Sequence, residues 1–286
     1  MIAVERGLTV PASSTDLMAS ISTHEHSIYT DQGRLYAKEW RPATDAGEAG
    51  PIVLFHDSLG CVELWRDFPE RLAHTTGRCV VAYDRLGFGR SDRHPGRLDG
   101  GFVHDEARGA FSALREQLKI RRFIAFGHSV GGGMAIGCAA SFIEDCTGLI
   151  TESAQAFVED RTLLGIRAAQ QSFAEPGQLE RLQKYHGDKA AWVLSAWIDT
   201  WLAPGFADWN LDETLGRVRC PSLVIHGGHD EFGSLLHPQR IADLAQGPAI
   251  ARILQECGHV PHREAAEAVL EIVDHWLDAS DERTVS

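Results

Sequence analysis

The sequence predicts an α/β fold, in which a mostly parallel sheet is covered by helices on both faces. Strand-like and helix-like segments alternate along the chain, as they do when parallel strands are joined by crossover helices. A glycine-flanked serine, Ser129, stands where a strand-like segment meets a helix-like one. An acid and a histidine follow it, each in a loop after a later strand-like segment. Because such loops gather at the carboxyl edge of a parallel sheet, we expect these side chains to meet there.

Eight strands are predicted, and the first two form a hairpin. They lie at about residues 24–30, 34–40, 52–56, 79–83, 122–127, 147–151, 221–226 and 249–254. Helices are expected at about residues 63–76, 103–118, 131–142, 235–245 and 264–278. Between residues 156 and 215 the alternation stops, and the segments there are helix-like and rich in tryptophan.

This pattern divides the chain into a core of residues 23–155 and 216–279, interrupted by a helical excursion at 156–215. Residues 1–22 are rich in alanine, serine and threonine and are expected to form a poorly ordered arm. Residues 280–286 read as a polar tail.

The segment around Ser129 is typical of a sharp strand-to-helix turn that exposes a nucleophile. Phe123 to Phe126 form an apolar run suited to a buried strand, and small residues open the helix after the serine. Gly127 and Gly131 stand two positions either side of Ser129, where a Cβ atom would collide in such a turn. The N–H of Val130 then lies at a helix N-terminus, where it can face a developing negative charge.

Asp230 and His259 are the leading acid and base, and each has a rival. Glu231 is one residue further along the loop than Asp230, and Glu152 follows a different strand. His262 is predicted in the first turn of the last helix, whereas His259 follows a glycine in a loop that can reach the serine. The serine, the acid and the histidine follow one another along the chain in the order nucleophile, orienting acid and base, which is typical of such a site.

From about residue 33 to about residue 277 the chain resembles the α/β-hydrolase family in its serine-nucleophile branch. Residues 52–60, Ile-Val-Leu-Phe-His-Asp-Ser-Leu-Gly, look like the family's strand and His-Gly loop. Residues 84–91, Asp-Arg-Leu-Gly-Phe-Gly-Arg-Ser, are similar to its Asp-x-x-Gly-x-Gly-x-Ser turn, and the serine turn and the two later loops follow in the family's order. The resemblance implies the α/β-hydrolase fold, with the excursion at 156–215 as a helical cap over the site.

The resemblance also implies an oxyanion hole made by the backbone N–H groups of Ser58 and Val130. The chain departs from the family at Asp57, where a glycine usually follows the loop histidine. A carboxylate there would oppose the oxyanion unless it points away or is neutralised by a partner. His56 is expected to make a structural hydrogen bond, and His128 should point away from the site because neighbouring side chains diverge. The candidate pocket residues are His56, Asp57, Leu59, Trp197 and Trp201.

The predicted chemistry is two-step acyl transfer on a small and apolar ester. His259 takes the proton of Ser129, Asp230 fixes the imidazole tautomer, and water releases the acyl-enzyme. Trp197 and Trp201 share a helix face. This pattern favours packing of that face onto the main domain, and the alternative is that the rings line a pocket for an apolar acyl group. A lactonase, a thioesterase and a hydrolase of carbon–carbon bonds stay open on the same residues. A non-catalytic ligand-binding protein and a cofactor-independent oxygenase are alternatives of another class.

Composition restricts the partners. The net charge of −13 argues against nucleic acid and anionic membrane surfaces, so the expected partner is a small-molecule substrate, and self-association into a homo-oligomer is left open. The run from His226 to Asp230 lacks the spacing of common zinc motifs, and neither glycine cluster completes a dinucleotide fingerprint, so no metal and no cofactor are expected. The six cysteines read as reduced and buried, and residues 1–22 show no signal peptide, which favours a cytoplasmic location.

Overall fold

A central sheet of eight strands organises the protein. The computed structural model describes residues 20–44 and 50–285, with side chains as far as residue 279. The strands, in chain order, are β1 Ile21–Thr30, β2 Gly33–Pro42, β3 Ile52–Phe55, β4 Val80–Tyr83, β5 Phe123–His128, β6 Cys146–Glu152, β7 Ser222–Gly227 and β8 Ala249–Leu254. Their order across the sheet is β1-β2-β4-β3-β5-β6-β7-β8. Pairing is antiparallel from β1 to β2 and from β2 to β4, and it is parallel from there to β8. The predicted fold class is therefore confirmed.

The helices follow the predicted alternation, with breaks that the sequence did not indicate. Their bounds are α1 Phe68–Thr76, α2 Phe102–Asp105, α3 Ala110–Leu118, α4 Val130–Ser141, α5 Asp160–Phe173, α6 Gln178–His186, α7 Ala190–Trp201, α8 Asp212–Leu215, α9 Leu236–Leu244, α10 Pro261–Glu264 and α11 Ala266–Val285. The helix predicted at 63–76 is divided, because Arg66 has a φ of 56° and separates a short 3-10 turn from α1. The helix predicted at 103–118 is split into α2 and α3, and the helix predicted at 264–278 corresponds to α11, with the separate turn α10 before it.

Strand β5 has apolar residues at successive positions, without the alternation of apolar and polar residues that a half-exposed strand shows. Phe123 and Ala125 pack into the core on one face of the sheet, and Ile124 and Phe126 pack into the core on the other. A strand that is covered on both faces buries every side chain, so all its positions favour apolar residues. This burial holds the end of β5, and with it Ser129, in the middle of the sheet.

Helices α5 to α8 lie between β6 and β7, in the segment where the strand alternation stops. The poorly ordered arm predicted at residues 1–22 lies mostly outside the described residues, and β1 already begins at Ile21. Helix α11 extends to Val285, beyond the predicted end at about residue 278, and so takes in most of the segment predicted as a tail.

Candidate active site

The turn that carries Ser129 has the strained backbone that its sequence predicts. Ser129 has a φ of 56° and a ψ of −126°, a conformation that non-glycine residues rarely adopt. A Cβ atom on Gly127 would lie 2.1 Å from the carbonyl oxygen of Gly131, and one on Gly131 would lie 2.1 Å from that of Phe55. Both distances are far inside van der Waals contact. The two glycines therefore allow α4 to pack directly against the sheet and present Ser129 at its edge.

Ser129, His259 and Asp230 form one hydrogen-bonded row. The Nε2 atom of His259 lies 3.0 Å from Oγ of Ser129, and its Nδ1 atom lies 2.9 Å from both carboxylate oxygens of Asp230. An ionised carboxylate only accepts hydrogen bonds, so Nδ1 carries the proton and Nε2 is free to accept that of the serine. This arrangement can activate the hydroxyl as a nucleophile.

The loop after β7 fixes the Asp230 carboxylate. Its Oδ1 accepts hydrogen bonds from the backbone N–H groups of Phe232 and Gly233, at 2.7 and 3.0 Å. Burial alone would raise the pKa of Asp230, but its hydrogen bond and charge interaction with His259 lower that pKa overall. The acid is therefore held ionised beside the imidazole.

The rival acids and base lie elsewhere. His262 and Glu152 are buried and pair with each other, with Nδ1 of His262 2.5 Å from Oε2 of Glu152. The side chain of Glu231 is exposed. The backbone oxygen of Glu152 accepts the N–H of Ser129 at 2.9 Å, but among the described hydrogen bonds none joins the side chain of these three residues to the Ser129 hydroxyl.

Asp57 takes the place of the usual glycine in the oxyanion loop, residues 56–60, and its carboxylate contacts two donors. Its Oδ1 accepts the backbone N–H of Leu59 at 2.8 Å, and its Oδ2 lies 3.3 Å from Nδ1 of His128. Burial alone would raise the pKa of Asp57, but the contact with His128 holds it well below its usual range. Val130 is the first residue of α4, so its N–H has no acceptor within the helix, and Ser58 lines the cavity beside Ser129.

His56 is buried behind this loop and does not line the cavity, which corrects its assignment as a pocket residue. Its Nδ1 donates to the backbone oxygen of Asp57 at 2.8 Å, and its Nε2 accepts the backbone N–H of Arg85 at 3.2 Å. These bonds are the structural role that the sequence predicted for it. Burial lowers the pKa of His56 well below its usual value, which keeps the ring neutral between the two partners.

A cavity of about 250 Å³ opens over Ser129 and His259. Four of the five predicted pocket residues line it: Asp57, Leu59, Trp197 and Trp201. Most of the remaining wall comes from residues that no motif indicated, namely Gln155, Thr162, Ile166, Ala169, Phe173 and Phe232. Gln155 follows β6, and its Oε1 lies 3.3 Å from Oγ of Ser129. The only sequence signal for the group on α5 is the spacing of apolar positions along one helix face.

One cluster of potential metal ligands exists among the described residues. His128, Glu152 and His262 each place one ligand atom within 4.8 Å of the others, and all three are buried. The nitrogen Nδ1 of His262 already donates to Glu152, and both ring nitrogens of His128 face other acceptors. Three of the four ring nitrogens in the cluster therefore already face hydrogen-bond acceptors.

The six cysteines all fall in the described part of the chain, where they are buried and none forms a disulfide. None of the described helices is long and apolar enough to cross a membrane.

Residues 52–272 match the model of the Alpha/beta hydrolase family. The chain belongs to this family. Among curated members it is similar to a proline iminopeptidase from Lactobacillus helveticus, at 22% identity, over 86% of this chain and 96% of the relative. It is also similar to the human serine hydrolase BPHL, at 28% identity, over 79% of this chain and 78% of the relative.

Solved structures of this alpha/beta hydrolase fold superpose on most of the chain. A proline iminopeptidase from Mycobacterium smegmatis gives a TM-score of 0.68 at 20% identity and covers 91% of this chain and 100% of its own. A 2-hydroxy-6-oxo-6-phenylhexa-2,4-dienoate hydrolase from Rhodococcus sp. strain RHA1 gives 0.69 at 18% identity, with 89% and 98% covered. Family membership supports a hydrolase activity, and the structures at this identity show the fold.

Proposed function

We propose that this protein is a serine hydrolase that cleaves small carboxylic esters through an acyl-enzyme. Ser129 attacks the carbonyl carbon while His259 takes its proton, and Asp230 stabilises the imidazolium that forms. The N–H groups of Ser58 and Val130 stabilise the oxyanion. His259 then protonates the leaving alcohol, and a water activated by the same imidazole releases the acid. The observation that carries the proposal is the row of contacts from Ser129 through His259 to Asp230, which opens on a cavity.

The cavity favours an uncharged and apolar acyl group. Its wall is mainly aliphatic and aromatic, including Phe173, Trp197 and Phe232. Asp57 is the one carboxylate among the described lining residues, and its Oδ2 contacts His128. A substrate with a free ammonium or carboxylate near the scissile bond would need an unpaired opposite charge in the pocket. A volume of about 250 Å³ suits a short chain or a single ring.

Carbon–carbon bond hydrolysis is the second candidate. It is supported by the structural similarity to the Rhodococcus 2-hydroxy-6-oxo-6-phenylhexa-2,4-dienoate hydrolase. Lactones and thioesters would use the same three residues. The six buried cysteines form no disulfide, which is consistent with a reducing compartment, and we place the activity in the cytoplasm.

A fluorophosphonate probe with peptide identification tests the nucleophile, and p-nitrophenyl esters of increasing acyl length test the reaction. We expect the probe on Ser129 and no ester turnover by Ser129→Ala. Ser195→Ala is the matched control, because this serine donates to the backbone oxygen of Trp192 in α7 and lies outside the cavity. Retained turnover in Ser129→Ala would refute the assignment. A wild type that is labelled but cleaves only β-diketone substrates would favour the second candidate.

A further inference from the structure

His128 faces hydrogen-bond acceptors with both of its ring nitrogens. Its Nε2 lies 2.8 Å from the backbone oxygen of His259, which can only accept. Its Nδ1 lies 3.3 Å from Oδ2 of Asp57. Oδ1 of the same carboxylate accepts the N–H of Leu59, and the contact with His128 holds the pKa of Asp57 well below its usual range, so the carboxyl is ionised. Each nitrogen of His128 thus faces an acceptor, which is the arrangement that suits an imidazolium.

The other groups around His128 agree with this charge. Glu152, paired with it across β5 and β6, is a second carboxylate and is buried, and its Oε1 has no hydrogen-bond partner. Burial alone would lower the pKa of His128, but the hydrogen bond to Asp57 and the charge of Glu152 raise it overall. The rings of His259 and His262 lie 5.1 and 4.9 Å from that of His128.

His262 does not compete for the positive charge. Burial lowers the pKa of His262, so it serves Glu152 as a neutral donor through Nδ1. Burial alone would raise the pKa of Glu152, but the interactions with His262 and His128 lower it overall, so the carboxylate is ionised. His128 thus lies between the buried carboxylate of Glu152 and the partly exposed carboxylate of Asp57, and it carries the compensating positive charge.

This charge lies under the oxyanion loop. Asp57 precedes Ser58, whose N–H is the proposed oxyanion donor, and both residues line the cavity with Ser129. An uncompensated carboxylate there would repel the negative charge that develops on the substrate oxygen. The same His128 ring also joins the oxyanion loop to the backbone of His259.

We propose that His128 is a positioning residue, protonated through neutral pH, which neutralises Asp57 and ties the oxyanion loop to the loop of the catalytic base. This role rests on the proposed acyl transfer by Ser129. It explains how an acid can occupy the oxyanion loop without opposing the reaction. It also predicts that kcat/KM falls at high pH, because His128 no longer neutralises the charge of Asp57 once it loses its proton.

The charge of His128 can be measured without turnover. In protein labelled with ¹⁵N-histidine, assigned by the missing signals of His128→Gln, we expect both ring nitrogens of His128 to be protonated at pH 7. A neutral tautomer at that pH would overturn the proposal.

The role of His128 is tested by a double-mutant cycle with Asp57. His128→Gln retains an amide donor but loses the charge, so we expect the phosphonylation rate of Ser129 and the kcat for a short ester to fall about 10- to 100-fold, with little change in KM. Adding Asp57→Asn removes the uncovered carboxylate and should restore a large part of both rates. The double variant should also lack the alkaline decline of kcat/KM that we expect for the wild type.

The outcomes separate this role from the proposed function. A wild type whose Ser129 does not react with the fluorophosphonate would overturn the hydrolase assignment and this role with it. A reactive wild type with the double variant as slow as His128→Gln would overturn the role alone. If His128→Gln does not fold, comparison of Asp57→Asn with wild type decides, because the alkaline decline must disappear in that variant too.

Discussion

The Nδ1 atom of His262 lies 2.5 Å from the carboxylate of Glu152, so the two residues that rival His259 and Asp230 in the sequence are partners of each other. Both side chains are almost completely buried. Their pairing indicates a structural function, because a buried carboxylate requires a donor.

His262→Ala should therefore affect stability more than chemistry. Removal of the His262 ring leaves the buried carboxylate of Glu152 without its hydrogen-bond donor, which costs about 1–3 kcal/mol of unfolding free energy. Urea unfolding measures this loss, and probe titration counts the active sites. We expect nearly normal turnover per labelled site. A stable but inactive His262→Ala would transfer the role of base to His262.

His259→Ala should show the opposite pattern. Its imidazole lies at the cavity, and without it Ser129 has no proton acceptor at 3.0 Å. We expect kcat/KM for a short ester to fall at least about 10³-fold, with stability near that of wild type. His229→Ala is the matched control, because this exposed histidine occupies the neighbouring acid loop. Comparable losses in both variants would contradict the assignment.

Trp197 should set the length of the acyl group. Its ring lines the cavity and lies 5.9 Å from that of Phe232, so Trp197→Ala lengthens the pocket. In a series of p-nitrophenyl esters we expect the preferred chain to become longer by several carbons. Trp192→Ala, on the same helix, removes a ring that stacks on His94 outside the cavity and should leave the preference unchanged. An unchanged optimum in Trp197→Ala would place the acyl group elsewhere.

Gly127→Ala should prevent stable folding. The new Cβ would lie 2.1 Å from the carbonyl oxygen of Gly131, so α4 would have to move away from the sheet. We expect a loss of at least about 4 kcal/mol in urea unfolding, or insoluble protein. A Cβ on Gly205 would meet nothing within 4 Å, so Gly205→Ala serves as the control. Equal stability of the two variants would rule out the close approach.

His237 should make stability depend on pH. Its Nδ1 accepts the N–H of Ala156, its Nε2 contacts Glu159, and burial lowers its pKa to about 4. The unfolded chain binds a proton near pH 6.5 and the folded chain only near that lower value, so the unfolding free energy falls as the pH falls between them. The contribution is up to about 1.4 kcal/mol per pH unit.

His237→Asn retains an acceptor for Ala156 and cannot titrate. Urea unfolding between pH 7 and pH 4 should give a smaller slope for this variant than for wild type. Since other buried histidines titrate in both proteins, the difference between the two slopes is the relevant measurement. Identical slopes would show that His237 does not change its protonation in that range.

The sequence was sufficient for the features that depend on local pattern. The alternation of apolar segments predicted all eight strands, and the spacing of Gly127, Ser129 and Gly131 predicted the strained turn. The order of the strands across the sheet was not predicted, because it depends on which face of the sheet each crossover helix covers.

Features that depend on long-range contacts could not be predicted. The division of the helix before β4 rests on the backbone conformation of Arg66, which no helix signal marks. The wall residues Gln155 and Phe232 follow strands in loops without a motif. Asp57 appeared as an anomaly because its partner, His128, is distant in sequence and was expected only to point away. His128 does point away from the cavity, and its contact with Asp57 explains why an acid is tolerated in the oxyanion loop.

The first turn of α5 is attached to the loop of the acid. Arg161 donates to the backbone oxygen of Asp230 at 3.0 Å, and Thr162 donates to that of Phe232 at 2.6 Å. If the first turn of α5 moved when substrate entered or product left, the Asp230 loop and its carboxylate would be displaced. We therefore expect substrate to enter the cavity at the other end of α5, beside Phe173, with faster deuterium uptake there than at the first turn. Catalysis and gating would then use opposite ends of one helix.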